Sequence, residues 1–188
     1  MATSKAFITT IGGRSFDPLD PGMDDIDIHD IAHSLSLICR ANGHFSEFFS
    51  VARHCINCAK EAAACGLGAR VQLLCLLHDA TEAYIGDMTR PLKRQLPYYC
   101  ECEERLHGRL LERFGIPSES GAEARAVRKI DDCMLYHEFL LFNGDRLRDE
   151  PPEIHIEIAG SEREFIETRA EYLALFEMLM REAGYTIC

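Results

Sequence analysis

The sequence has no apolar run approaching the roughly 20 residues that a membrane-spanning helix needs. Its densest apolar stretch, residues 71–77, makes about two helical turns and is interrupted by Gln72. The first residues, MATSKAFITTIGG, lack the long apolar core of a secretory signal. Basic residues are scarce: 20 Lys and Arg face 31 Asp and Glu, a formal net charge of -11. A surface of that sign repels polyanions on average, which argues against non-specific binding to duplex nucleic acid. A small anionic substrate remains admissible, because local cations outweigh acids lying beyond a Debye length of roughly 8 Å. Internal repeats and low-complexity segments are also missing. These absences lead us to expect a cytoplasmic protein with no membrane and no nucleic-acid polymer as partner.

What is present fits a single domain of 188 residues, 47% hydrophobic and 27% charged. Nine cysteines with no export signal read as reduced thiols. Cys55-x-x-Cys58 and Cys100-x-Cys102 lack the spacing of a zinc knuckle. Cys55, Cys58, Ala62 and Cys65 share one helical face, as core packing would produce.

The pattern divides the chain into an N-terminal arm (1–26), a helical core (27–142) and a C-terminal loop and helix (143–188). The arm is expected to form a β-hairpin or strand near residues 7–10, with a turn at Gly12-Gly13. In the core, Ile28, Ile31, Ala32, Leu35 and Ile38 recur at helical spacing up to a stop at Asn42-Gly43. Ser50 is an N-cap for a helix reaching Cys65. A third helix, 69–83, is apolar nearly all round and so belongs at the centre. Helices are expected over 98–114 and 122–142. Ser161 and Glu164 have capping-box spacing for a last one to Met180, with Phe165, Tyr172, Phe176 and Leu179 or Met180 inward. The reading is an all-α bundle of five to seven helices with a small N-terminal strand element.

Ionisable residues inside apolar helices carry the functional signal. His78 and Asp79 end the most hydrophobic segment, and an unpaired carboxylate there would be costly. Glu82 shares their side of the helix end, and Asp87 follows past Gly86. On the fifth helix Asp131 and Glu138 complete a stripe with Val127, Met134 and Leu141, which favours Asp131 over the adjacent Asp132. His54 lies at the margin of the apolar face of the second helix. Two imidazoles and two carboxylates from three helices make a shell for one divalent metal ion (Mn, Co, Fe, Zn or Mg). For any one of these residues, the ordinary alternative is a satisfied core position.

The segments SVARH around His54, LLHDATEAYIGD over 76–87 and VRKIDD from Val127 resemble the signature of the HD-domain metal-dependent phosphohydrolases. The extended form, HD-x-x-E-x-x-x-x-D, resembles the branch of YfbR-like 5'-deoxynucleotidases and phage-type deoxynucleotide (dATP) triphosphohydrolases. DIAHSLSLICRANGH upstream and TRPLK downstream resemble the same branch. The resemblance implies that His54, His78, Asp79 and Asp131 hold the metal, and that Glu82 and Asp87 handle the attacking water and the leaving group. It further implies a small nucleotide substrate, held by Arg40, His44, Arg90 and Lys93 and more remotely by Arg14, and a homo-oligomer, dimer or larger. Arg53 points away from the stripe that holds His54. One departure is Cys55, where the family commonly carries a small hydroxyl residue. An alarmone hydrolase would want Glu-Asp where this chain has Glu82-Ala83, and a cyclic-dinucleotide hydrolase would want a Gly-Tyr-Pro element. A non-enzymatic nucleotide sensor and a scaffold zinc site are the readings from other classes.

Overall fold

The computed structural model of the chain describes residues 7–158 and 165–186. Strands β1 (Ile8–Thr9) and β2 (Ser15–Phe16) pair antiparallel, the one sheet among the described residues. Asp27 starts α1 (Ile28–Leu37) by accepting a hydrogen bond from the His29 backbone at 2.7 Å. Ser50 does the same for α2 (Val51–Ala64) through the Arg53 backbone N–H. Next come α3 (Ala69–Leu77), α4 (Glu82–Ile85), α5 (Arg90–Lys93) and α6 (Pro97–Arg113). The last two carry proline in their first turn, where its missing N–H has no helical acceptor to lose. A capping box of Ser120 and Glu123 starts α7 (Gly121–Asn143), and α8 (Phe165–Glu182) follows. The fold is all-α with a small β element near its N-terminus, as the periodicity predicts.

Helix α3 is the hub. Its residues Leu73, Leu74, Cys75, Leu76 and Leu77 are fully buried, and it packs against α2, α7 and α8. A helix with no solvated face is stable only in such a position. The Tyr172 hydroxyl on α8 donates to the Leu76 carbonyl at 2.9 Å. Arg53 reaches from α2 to Glu171 at 2.7 Å and Thr168 at 3.0 Å, away from the polar centre. A satellite cluster of Phe45, Phe49 and Phe142, with centroids 4.9 Å apart for both pairs involving Phe142, fastens the loop after α1 to the end of α7. No helix among the described residues is long and apolar enough to cross a membrane.

Several local expectations are corrected. Helix α1 ends at Leu37, not near Asn42, because Cys39 and Ser50 form an antiparallel bridge and the Arg40 backbone donates to the Phe49 carbonyl at 2.8 Å. Ala41 and Asn42 then take left-handed φ values of 55° and 51°. The helix expected over 69–83 breaks after Leu77. There the hydrogen bonds shorten to three-residue closures, Ala80 to Leu77 and Glu82 to Asp79, both 3.0 Å. Leu141 is 51% exposed, because a seven-residue stripe drifts by roughly 20° per heptad around a straight helix and leaves the core after Met134. Phe165 and Cys65 are exposed at helix ends, where no neighbouring element covers them. The Ser161–Glu164 pair lies outside the described residues.

Candidate metal centre

Each of the three central helices delivers a polar group to one point. His54 comes from α2, His78 and Asp79 from the break after α3, and Asp131 from α7. His54 Nε2 lies 3.3 Å from His78 Nε2, 3.2 Å from Asp131 Oδ1 and 3.8 Å from Asp79 Oδ2. His78 Nε2 lies 3.2 Å from Asp79 Oδ2 and 3.8 Å from Asp131 Oδ1. A cation about 2.1 Å from each ligand requires ligand–ligand separations of about 3.0 Å in an octahedron and about 3.4 Å in a tetrahedron. The four atoms therefore fit around a single divalent ion with small adjustments.

Tautomers sharpen that fit. His54 Nδ1 is 2.6 Å from Glu138 Oε1, and His78 Nδ1 is 2.8 Å from the Cys75 carbonyl. Both acceptors take the Nδ1 proton, so both Nε2 lone pairs face the same point. Two facing lone pairs and two carboxylates repel unless a proton or a metal ion lies between them. Without a metal the proton goes to His78: burial alone would lower its pKa, but Asp79 and its other neighbours raise it well above the usual histidine value. Burial would likewise raise the Asp79 and Asp131 carboxyls, yet the two histidines hold both well below the usual range. Cys58 and Cys55 also lie within ligand distance of this centre. Burial pushes the Cys58 thiol well above its ordinary value and Cys55 up to about 11, so the carboxylates supply the negative charge.

Around this point, Arg40 donates through Nε to Glu138 at 2.8 Å and turns its terminal nitrogens toward Asp79 at 3.4 Å and Asp131 at 3.6 Å. Arg90 bonds Asp131 and, at 2.6 Å, Asp132. Lys93 bonds Glu103 at 2.6 Å. Glu82 is 6% exposed, and its Oε2 has no hydrogen-bond partner. Burial raises its pKa well above the usual value, with Asp79 and Asp87 adding to the shift. Burial also raises Asp87, placed beyond Gly86, whose φ of 79° turns the chain back toward the centre.

Arg40, Asp79, Glu82, Asp87, Arg90, Lys93 and Asp131 all line one cavity of about 400 Å³. Ala41, Met88, Pro91, Leu135, Phe139 and Leu147 form its apolar wall. Two expected contacts are not brought there. The Arg14 guanidinium is engaged by Asp27 at 2.7 Å and Asp30 at 3.3 Å, beside the N-terminal hairpin. The left-handed turn at Ala41 and Asn42 puts Ala41 in the wall and leaves His44 exposed outside it. Glu138 was legible as an acid on a buried stripe, but its hold on both His54 and Arg40 was not. The apolar wall carried no sequence signal at all.

No family model matches the chain. Over 112 residues it is 43% identical to the uncharacterized protein YfdR of Escherichia coli, a match covering 60% of this chain and 60% of that protein's length. It is also 33% identical to the uncharacterized protein RCAP_rcc00048 of Rhodobacter capsulatus, over 94% of this chain and 97% of the relative. At that identity and coverage, the chain belongs to the same protein family as RCAP_rcc00048.

Proposed function

We propose that the protein is a divalent-metal-dependent phosphohydrolase of the HD-domain type acting on deoxynucleotides. It would release phosphate from a deoxynucleoside monophosphate or triphosphate from a deoxynucleoside triphosphate. The observation that carries this reading is the convergence of two imidazole lone pairs and two carboxylates, beside a buried Glu82 oxygen that lacks a partner. A divalent cation held by His54, His78, Asp79 and Asp131 polarises a phosphoryl oxygen and lowers the pKa of water. Glu82 accepts a hydrogen bond from the attacking water and takes its proton as the new P–O bond forms. Asp87 supplies the proton that the leaving oxygen needs as the old P–O bond breaks. Arg40, Arg90 and Lys93 bind the remaining phosphoryl oxygens, exchanging their carboxylate partners for the substrate. Sugar and base lie against Met88, Leu135 and Phe139, in a cavity at the lower end of the size range for small-molecule sites.

The test is a panel of deoxynucleoside mono- and triphosphates with Mn²⁺ or Co²⁺, scored for free phosphate against triphosphate. Glu82→Ala should abolish turnover and leave bound metal unchanged. Absence of turnover across the panel with metal bound would overturn the reading in favour of a nucleotide sensor.

A further inference from the structure

A second group of metal-binding side chains lies at the far end of α2. Cys65, the exposed C-cap of that helix, places Sγ 3.5 Å from Glu61 Oε1 and 3.5 Å from His155 Nδ1. His155 Nδ1 and Glu61 Oε1 are 2.8 Å apart. Glu61 is 1% exposed, and its other oxygen accepts the His155 backbone N–H at 3.0 Å, which fixes the carboxylate in place. All three groups line a cavity of about 700 Å³, so a cation has a route in from solvent.

We propose that Glu61, Cys65 and His155 form a zinc site separate from the centre at His54 and His78. Tetrahedral Zn²⁺ with bonds of about 2.3 Å to sulfur and about 2.05 Å to nitrogen or oxygen separates sulfur from either light atom by about 3.5 Å. Both sulfur separations observed here equal that value. The nitrogen–oxygen pair is held close by a hydrogen bond, which opens by about half an ångström when the metal replaces the proton. Thiolate, imidazole and carboxylate together favour zinc over calcium or magnesium. On binding, the thiol loses its proton to solvent and the imidazole carries its remaining proton on Nε2. Glu153 Oε1, 3.7 Å from Nε2, stands where an outer carboxylate orients a ligating histidine. The fourth position faces the cavity, which Arg125, Arg128, Lys129 and Arg148 also line, and takes water or an anion. The bound ion ties the segment around His155 to α2.

Cobalt substitution tests this in the full chain, stripped of metal by chelator and kept reduced. Wild type should show a thiolate-to-cobalt charge-transfer band in the near ultraviolet. Cys65→Ser and His155→Ala should each lose the band and one bound cobalt per chain. Cys58→Ser, altering the thiol beside His54, should keep both. Cys65 and His155 are at the surface, so circular dichroism should report an unchanged fold for either variant. No band in wild type, or a band that survives Cys65→Ser, overturns the proposal. Nucleotide turnover does not enter the readout, so the two metal assignments fail or stand separately.

Discussion

Glu138 has no exposed side-chain surface, yet it is a carboxylate with two polar partners, His54 Nδ1 at 2.6 Å and Arg40 Nε at 2.8 Å. Those partners hold its pKa below the usual value against the opposing effect of burial. It is a positioning residue: it fixes the tautomer of one metal-facing imidazole and the plane of the cavity's deepest guanidinium. Replacing it separates two effects. Glu138→Ala leaves Arg40 buried without its main partner and should cost about 3–5 kcal/mol of stability, read from urea unfolding. Glu138→Gln keeps an acceptor for one donor, so the fold should persist while Mn²⁺ affinity falls about 10–100-fold in a metal titration. Unchanged affinity in the glutamine variant would reduce Glu138 to a packing role. The need for a partner at this position was legible from an acid on a buried stripe. The partner was not, because Arg40 is distant in sequence and arrives only through the bridge between Cys39 and Ser50. Arg14 teaches the converse: a cation chosen by sequence was taken up by nearer acids.

Helix starts were the most legible elements, because a cap is a local bond: Asp27, Ser50 and Ser120 each accept from the backbone of their own first turn. The break after Leu77 was invisible, since residues 78 and 81 keep right-handed angles and the apolar period runs on. Only the hydrogen bonds change, and they change where His78 and Asp79 must face the centre. The start of α7 offers a measurable pH effect. Glu123 accepts from the Ser120 backbone at 2.8 Å and from Arg70 Nε at 2.6 Å, and these bonds, Arg70 first, hold its carboxyl down at about 2. In the unfolded chain the value is about 4.3. A depressed folded pKa adds stability above the unfolded value and loses it as pH falls toward the folded one. Glu123→Gln should therefore lower stability by about 1 kcal/mol at neutral pH, a modest amount because solvent screens this surface pair. The gap to wild type should close between about pH 4 and the folded value of about 2. A gap that is constant with pH would mean that the bond's geometry matters and its charge does not.

At the scale of the whole molecule, acids outnumber bases, and at the centre four of them, Asp79, Glu82, Asp131 and Glu138, share one small volume with two arginines. The guanidiniums of Arg40 and Arg90 stand as counter-ions there, and a divalent ion among the ligands adds the charge that those acids still lack. Because the ligands come from α2, α7 and the break after α3, they assemble only in the folded chain, and the unfolded chain offers no comparable site. Binding to the native state alone stabilises by about 2.7 kcal/mol at a free concentration of about 100 times Kd. For a chain of this size that corresponds to a rise in Tm of roughly 5–10 °C. Mn²⁺ should produce such a rise in wild type and excess chelator should reverse it. Asp131→Asn should lose most of the rise, because it removes one ligand charge and the acceptor that Arg90 shares with Arg40. The Cys65→Ser variant should keep it, since its site is at the other end of α2. A wild-type Tm indifferent to Mn²⁺, Co²⁺ and Zn²⁺ would mean that the two arginines alone neutralise the acids, and the centre would then be a buried ion-pair network.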